Sequence, residues 1–286
     1  MAIVLGPNRY GKAETRLVRV NRDGGTHSLV DLNVSIALAG DLAATHATGD
    51  NSTVLPTDTM KNTVYAFAKE HGVGEPEDFA LLLARWFVGS QDQVDSATVS
   101  IESFAWDRLG PHSFAKRGDY TRTTTVTVTA NATQVVSGVT GLVLLNTTDS
   151  EFHGFVRDRY TTLPETTDRI LATAVDAKWR HSGDTGDFAE SYEKALEALK
   201  NGFIQTHSYS LQQTLMAMGT RVLTDRPEIA EVRLALPNKH HYLVDLSPFD
   251  LANDNEVFIA GDRPYGLIEG TVARDDAPAA IAGWWL

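Results

Sequence analysis

The sequence predicts an α+β fold, with antiparallel sheets carrying helices on one face. Three observations predict it. Val30, Leu32, Val34, Ile36 and Leu38 alternate with Asp31, Asn33 and Ser35, the period of two of a half-buried antiparallel strand. Phe79, Leu82, Leu83, Trp86 and Phe87 fall on one stripe of a helix over Pro76–Ser90. The order strand–strand–helix–helix–strand–strand then occurs twice, as a repeat of architecture without visible self-similarity of sequence.

The first strand is Lys12–Val20, which stops at the turn signal Asp23-Gly24-Gly25; the alternating strand follows. A helix over Asp58–Glu70 is announced by Pro56-Thr57 and closed by Gly72, and the striped helix comes next. Ala97–Trp106 is a strand, with Val99 and Ile101 set against Thr98, Ser100 and Glu102, and a shorter one lies near His112–Ala115. The second set opens with Thr121–Ala130, where Thr and Val alternate, and its expected hairpin partner Thr133–Leu145. A helix over Phe188–Lys200 collects Tyr192, Leu196 and Leu199 on one face, with Phe203 continuing it. Another helix runs from Ser210 to Leu223. Strands at Ile229–Leu236, Glu256–Ile259 and Tyr265–Val272 finish the sheet. The division falls at Gly118: residues 1–118 are the first module and 119–286 the second, which carries an insertion over Asn146–Asp187 and a C-terminal tail. The outward faces of the Thr-rich strands suit a polar, solvated space, a hint of a tunnel or an oligomer.

Composition narrows the chemistry. The 286 residues contain no Cys, which excludes disulfides, iron–sulfur clusters, thiolate zinc sites and thiol nucleophiles. The 37 acidic side chains exceed the 25 Lys and Arg, a formal charge of −12, which argues against nucleic acid as a partner. No apolar run approaches the roughly 20 residues that span a bilayer, so no membrane partner is expected. The tail Asp275–Leu286 ends Gly283-Trp284-Trp285-Leu286 and either folds back on its own domain or meets another subunit.

Each candidate site residue has a plain reading beside the functional one. Thr57 or Asp58 fits a helix N-cap, and a helix N-terminus also binds anions. Ser210 and Gln213 have capping-box spacing, which leaves the N–H of Leu211 and the side chain of Gln212 at a second helix N-terminus. Asn238 and His240 share a face if the strand of Val232, Leu234 and Leu236 runs on, with His241 turned away; adjacent His residues that diverge argue against a metal site. Arg169 either pairs with Asp168 or Glu165 or offers its fork to a planar anion. Phe152 is core or a stacking platform for a heterocycle. Lys12, at a strand start, is solvated unless burial or a neighbouring cation lowers its pKa.

Taken together, the motifs Tyr10-Gly11-Lys12, Thr57-Asp58-x-x-Lys61-Asn62-Thr63, His112-Ser113-Phe114, Gly154-Phe155-x-x-Asp158, Tyr160-Thr161-Thr162-Leu163, Asp168-Arg169-Ile170-Leu171 and Leu236-Pro237-Asn238-Lys239-His240 resemble the urate oxidase (uricase) family in order and wording. The resemblance runs from Leu5 to Leu267. It implies the tunnelling fold, two ββααββ modules per chain, and a homotetramer whose active sites lie between subunits. It implies oxidation of urate by dioxygen and water to 5-hydroxyisourate and hydrogen peroxide, with no cofactor and no metal. By the same resemblance Lys12 and Thr57 form the base and His240 completes a proton relay. Arg169, Gln212 and the N–H of Leu211 hold one edge of the purine, and Asp58 meets the other. Phe152 stacks on the ring and Leu163 lines the pocket. Asn238 and Thr57 flank the place of dioxygen. Lys12, Thr57 and Asp58 come from one subunit and the rest from its neighbour. The Trp-Trp-Leu ending departs from the peroxisomal signal of many eukaryotic members, so a cytoplasmic, bacterial setting is expected. Two alternatives stand beside this reading: a hydrolytic tunnelling-fold relative acting on a pterin or purine, and a non-catalytic purine-binding assembly. The missing Cys and His ligand spacing oppose the first, and retention of both the clamp and the base residues opposes the second.

Overall fold

Strands β1 (Tyr10–Asn21) and β2 (Ser28–Gly40) form an antiparallel hairpin. A short helix α1 (Ala43–Thr48) leads to α2 (Thr57–Glu70) and α3 (Pro76–Ser90), and β3 (Val94–Ser103) returns beside β2. The computed structural model describes residues 2–281. Helix α3 starts where its sequence dictates, with Pro76 in the first turn, where a missing N–H costs nothing, followed by Glu77 and Asp78 against the positive end of the helix dipole. Leu32, Val34, Ile36 and Leu38 are buried under Met60 and Val64 of α2 and Phe79, Leu83 and Phe87 of α3, in one core. The other sheet face carries hydroxyls: Thr98 meets Thr127 at 3.1 Å and Ser100 meets Thr125 at 3.3 Å. Helices on one face of an antiparallel sheet are the expected α+β arrangement.

The pairing partners differ from the expected ones in three places. The piece near His112–Ala115 does not complete the sheet. Only its last two residues, Phe114 and Ala115, fall in β5 (Phe114–Lys116), which pairs with β4 (Trp106–Arg108) in a small ribbon. Arg108 ties that ribbon to the β1–β2 turn by donating to the His27 carbonyl at 2.6 Å. The place beside β3 is taken by β6 (Thr121–Thr129), in register from Ser96↔Thr129 to Ser103↔Arg122. Val126 and Val128 continue the buried alternation of Ala97, Val99 and Ile101, a match that a three-residue strand cannot supply. The first ββααββ set therefore closes at Thr129, and we place the proposed module division in the following turn instead of at Gly118.

Second, β7 (Thr133–Asn146) is followed by β8 (Leu171–His181), which lies inside the stretch expected to be an insertion. Third, Glu256–Ile259 does not finish the sheet: β10 (His240–Leu243) and β11 (Phe258–Gly261) pair only with each other, from His240↔Gly261 to Leu243↔Phe258. Helices α4 (Phe188–Ile204) and α5 (Leu211–Asp225) precede β9 (Ile229–Pro237), and β12 (Leu267–Ala273) pairs antiparallel with β9.

The chain divides into two units. The first comprises residues up to 138 with 179–192 and the end of the tail; the second comprises 139–178 and 193–277. In the second unit the strand order is β7-β8-β9-β12, and α5 packs on β9 and β12 through Leu215, Met218 and Val222. Two glycines permit close approach there. A Cβ on Gly202 of α4 would lie 2.7 Å from the Met218 Cα, and one on Gly219 would lie 2.5 Å from a Val272 methyl. The described part of the tail folds back: the Ile281 N–H donates to Gln134 Oε1 at 2.7 Å. Trp284 and Trp285 lie outside the described residues. Among those described, no helix is long and apolar enough to cross a membrane.

Candidate active site

In the first unit, Lys12, Thr57 and Asp58 are placed by the start of β1 and the start of α2. Gly11 is required by close backbone approach, since a Cβ there would lie 1.7 Å from the Ile36 carbonyl oxygen. Lys12 pairs with Ile36 and Thr15 with Val34, so one extra residue of β1 bulges between them, with Glu14 at φ 55. The Glu14 N–H donates to Ser35 Oγ at 3.0 Å and fixes the bulge. Because directly paired residues share a face, Lys12 lies on the side of Ile36, Thr15 and Leu17, the side that α2 covers. Counting by two from Leu17 would have sent it to the hydroxyl-bearing side. There a cleft of about 320 Å³ is lined by Gly11, Ser35, Ala37, Thr98 and Ser100. The Tyr10 hydroxyl donates to the Leu55 carbonyl at 3.1 Å and draws the loop before α2 onto β1.

The expected N-cap is corrected by one residue. Pro56 is the cap, with φ −57 and ψ 137, and no side chain fills the capping role. Thr57 and Asp58 are the first helical residues, so their N–H groups have no partner within the helix. Thr57 is half-buried. The Asp58 carboxylate accepts from Lys61 and, at 3.0 Å, from Asn62. Lys61 holds that carboxyl below the usual range by hydrogen bond and charge; the Lys12 charge adds a smaller share, which puts Lys12 and Asp58 in one field.

In the second unit, Phe152, Arg169, Leu211 and Gln212 gather where two loops are zipped together. Ser150 and Ser208 form a parallel bridge; Ser208 N–H donates to the Asp149 carbonyl at 2.8 Å, and Glu151 N–H to the Ser208 carbonyl at 2.7 Å. The expected capping box at α5 is half met: Ser210 Oγ accepts from the Gln213 N–H at 3.2 Å, while Gln213 Oε1 accepts at 2.7 Å from the N–H of Tyr209, one residue before the cap. The first N–H groups of α5, those of Leu211 and Gln212, have no acceptor within the helix. Leu211 itself is buried, which anchors the turn, while Gln212 is exposed.

Arg169 pairs with neither Asp168 nor Glu165. Asp168 accepts from Thr148 at 2.9 Å, and Glu165 lies 3.8 Å from Arg157. The Arg169 Nε donates to the fully buried Ser150 Oγ at 3.1 Å, which leaves the two terminal nitrogens of the fork for a ligand. Burial pushes its pKa down, the mark of a cation partly removed from water without a carboxylate beside it. The guanidinium lies 5.2 Å from the centre of the Phe152 ring, and Phe155 stacks on that ring at 4.9 Å. Phe152 is itself pinned by reciprocal backbone hydrogen bonds with Thr166, at 2.8 and 3.0 Å.

Leu163 is exposed on the loop that returns to Thr166. After Pro237 the chain runs on between the neighbours of β9: Asn238 N–H donates to the Gly266 carbonyl and Lys239 N–H to the Ala172 carbonyl, each at 2.8 Å, the alternation of an extended strand. His240 then opens β10. Asn238 and His240 are half-buried, whereas Val232, Leu234 and Leu236 are fully covered. Ser150, Ser208 and Thr214 were not foreseen. Thr214 Oγ1 donates to Ser208 Oγ at 2.8 Å beneath the α5 cap; their one sequence signal is small hydroxyl residues two positions before Phe152 and before the cap Ser210. Among the described residues no group of three or more His, Asp or Glu is placed to hold a metal.

In the second unit the parts suit a planar anion: a helix N-terminus, an aromatic ring and a guanidinium with no acid beside it among the described residues. In the first unit an amine and a carboxylate share the field at the start of another helix. The uricase family model matches residues 8–127 and 135–269. A uricase from Arthrobacter globiformis is 48% identical over 284 residues, covering 99% of this chain and 94% of that protein. A uricase from Dictyostelium discoideum is 36% identical, covering 93% and 96%. The crystal structure of uricase from Arthrobacter globiformis superposes with a TM-score of 0.97 at 47% identity over the whole of both chains. On fold, site chemistry and this full-length similarity, the chain belongs to the uricase family.

Proposed function

We propose that the chain is a urate oxidase that works without a cofactor, converting urate, dioxygen and water to 5-hydroxyisourate and hydrogen peroxide. The observation that carries this reading is Arg169, half-buried, tethered through Nε to Ser150, unpaired with any carboxylate among the described residues, and joined through the Ser150–Ser208 bridge to the loop that opens α5. Its two terminal nitrogens, the Leu211 N–H and the Gln212 side chain hold one edge of the purine anion. Phe152 and Leu163 bound the ring. The N–H and side chain of Asp58 meet the far edge, at the end of α2.

Urate is electron-rich, and removing a further proton makes it a better electron donor to dioxygen held over the ring. Thr57 cannot act as a base near neutral pH alone; Lys12 accepts its proton as Thr57 takes one from urate, and His240 completes the relay. Two helix N-termini and the Arg169 fork stabilise the growing negative charge, and Asn238 with Thr57 flanks the place of dioxygen. Water adds to the oxidised ring at carbon 5, and the two electrons and two protons leave as peroxide.

Lys12, Thr57 and Asp58 serve a site completed by a neighbouring copy in a homotetramer. The cytoplasmic, bacterial setting belongs to the same proposal and is supported by similarity to the Arthrobacter chain. The test is metal-stripped protein with urate under air. Loss of the urate absorption band with one peroxide per urate is the expected result. Activity that appears only on adding metal removes the cofactor-free claim, and binding without turnover removes the enzyme.

A further inference from the structure

We infer that Glu151 is a positioning residue for urate, setting the distance between the Arg169–Phe152 side of the clamp and the N-terminus of α5; the inference rests on the urate oxidase reading. Glu151 sits between the two residues that build one side, Ser150, which holds Arg169, and Phe152, which lies under it. Its carboxylate bridges two rings: Oε1 accepts from His207 Nε2 at 2.6 Å and Oε2 lies 2.9 Å from His153 Nε2. His207 immediately precedes Ser208, whose bridge to Ser150 and support from Thr214 lead directly into the cap Ser210. One side chain thus links the loop that carries the guanidinium to the loop that aims the Leu211 and Gln212 N–H groups. A purine edge spans a fixed width, so a change in that separation costs binding before it costs chemistry.

The groups facing His207 are Glu151, Asp149 at 3.6 Å and the Tyr209 ring at 5.0 Å; His153 faces Glu151 from the far side. Glu151 is the main cause holding the His207 imidazole above its ordinary pKa, with Asp149 adding to it, and His207 in turn holds the Glu151 carboxyl down. Below the raised imidazole pKa the link is a charge-assisted hydrogen bond; as pH rises through it the imidazolium loses its proton and the link weakens. KM should therefore rise with pH over that range while kcat does not follow it.

The experiment compares wild type, Glu151→Gln and Glu151→Asp for urate oxidation across roughly pH 6 to 9, the range around an imidazole, with xanthine binding and Tm measured on the same samples. Glu151→Gln should raise KM and the xanthine Kd about tenfold, with kcat within about twofold, because ground-state positioning is what is lost. The KM rise should move to lower pH, and Glu151→Asp should restore part of the affinity. A KM profile that superimposes on wild type, or a fall in kcat and Tm with KM unchanged, overturns the inference. If wild type binds xanthine but does not oxidise urate, the enzymatic reading fails alone. The xanthine Kd then decides the positioning role: a tenfold rise in Glu151→Gln upholds it and an unchanged value ends it.

Discussion

Arg169→Met separates binding from folding. The substitution keeps an unbranched side chain and removes only the charged fork. Among the described residues that fork has no ion pair to lose, and its ties are the Nε bond to Ser150 Oγ at 3.1 Å and the Phe152 ring 5.2 Å away. Losing the bond costs about 0.5–1.5 kcal/mol and the ring contact about 0.5–1 kcal/mol, and no longer holding a cation away from water offsets part of both. Net stability should stay within about 1 kcal/mol, a Tm change of about 2 °C for a chain of this size. Binding behaves differently. The two terminal nitrogens would each make a charge-assisted bond to the purine anion, at about 1.5–3 kcal/mol apiece in a dry site. Because the guanidinium is only half-buried, solvent screening reduces the pair to about 2–4 kcal/mol, a 30- to 900-fold loss of affinity. Calorimetric titration with xanthine measures it, with a thermal melt of the ligand-free protein alongside. Affinity within threefold of wild type would show that Arg169 is not the anion clamp, and a large fall in ligand-free Tm would show that it supports the fold instead.

Other expectations follow from the same geometry. Lys12→Met should lower kcat by at least about a hundredfold, the scale of a lost general base, with KM little changed; equal loss in both refutes its role as base. Gly202→Ala drives a methyl to within 2.7 Å of the Met218 backbone. It should destabilise by about 1–3 kcal/mol and, by shifting α5, raise KM, read from denaturant melts and initial rates; a neutral substitution refutes the tight crossing. Mixing inactive Thr57→Ala and Arg169→Ala chains under verified subunit exchange should recover activity, since some sites would then carry neither change; no recovery counts against shared sites.

Much of the fold was legible because local chemistry and burial agreed. Pro76 and the acidic pair after it mark the start of α3, and the Ser210–Gln213 box marks α5. Pairing was less legible. The Thr121–Thr129 strand advertises its own period but not its partner; by sequence order the piece near His112–Ala115 completes the first set, and only a match along the length of β3 decides otherwise. Strand β8 alternates only through its middle, where Thr173, Val175, Ala177 and Trp179 are buried between Ala174, Asp176 and Lys178; at its ends Leu171, Ala172, Arg180 and His181 are all buried, and small Ala and Thr make the alternation faint in the sequence. In the site, residue types with strong chemistry were legible, Arg169 above all. The hydroxyls of Ser150, Ser208 and Thr214 were not, because a buried Ser has no pattern until its partner is known.

The bulge in β1 makes the facing of Lys12 a matter of parity. Lys12 and Leu17 stand an odd number of residues apart, so they share a face only because one residue is set out of the ladder. Removing one residue at position 13 or 14 would heal the ladder with Lys12 still opposite Ile36. Adding one would restore even spacing as well, but Lys12 would then oppose Leu38, one step further along the same face. Shortening that stretch by one residue therefore keeps the amine in place, and lengthening it by one keeps its facing but moves it along the strand.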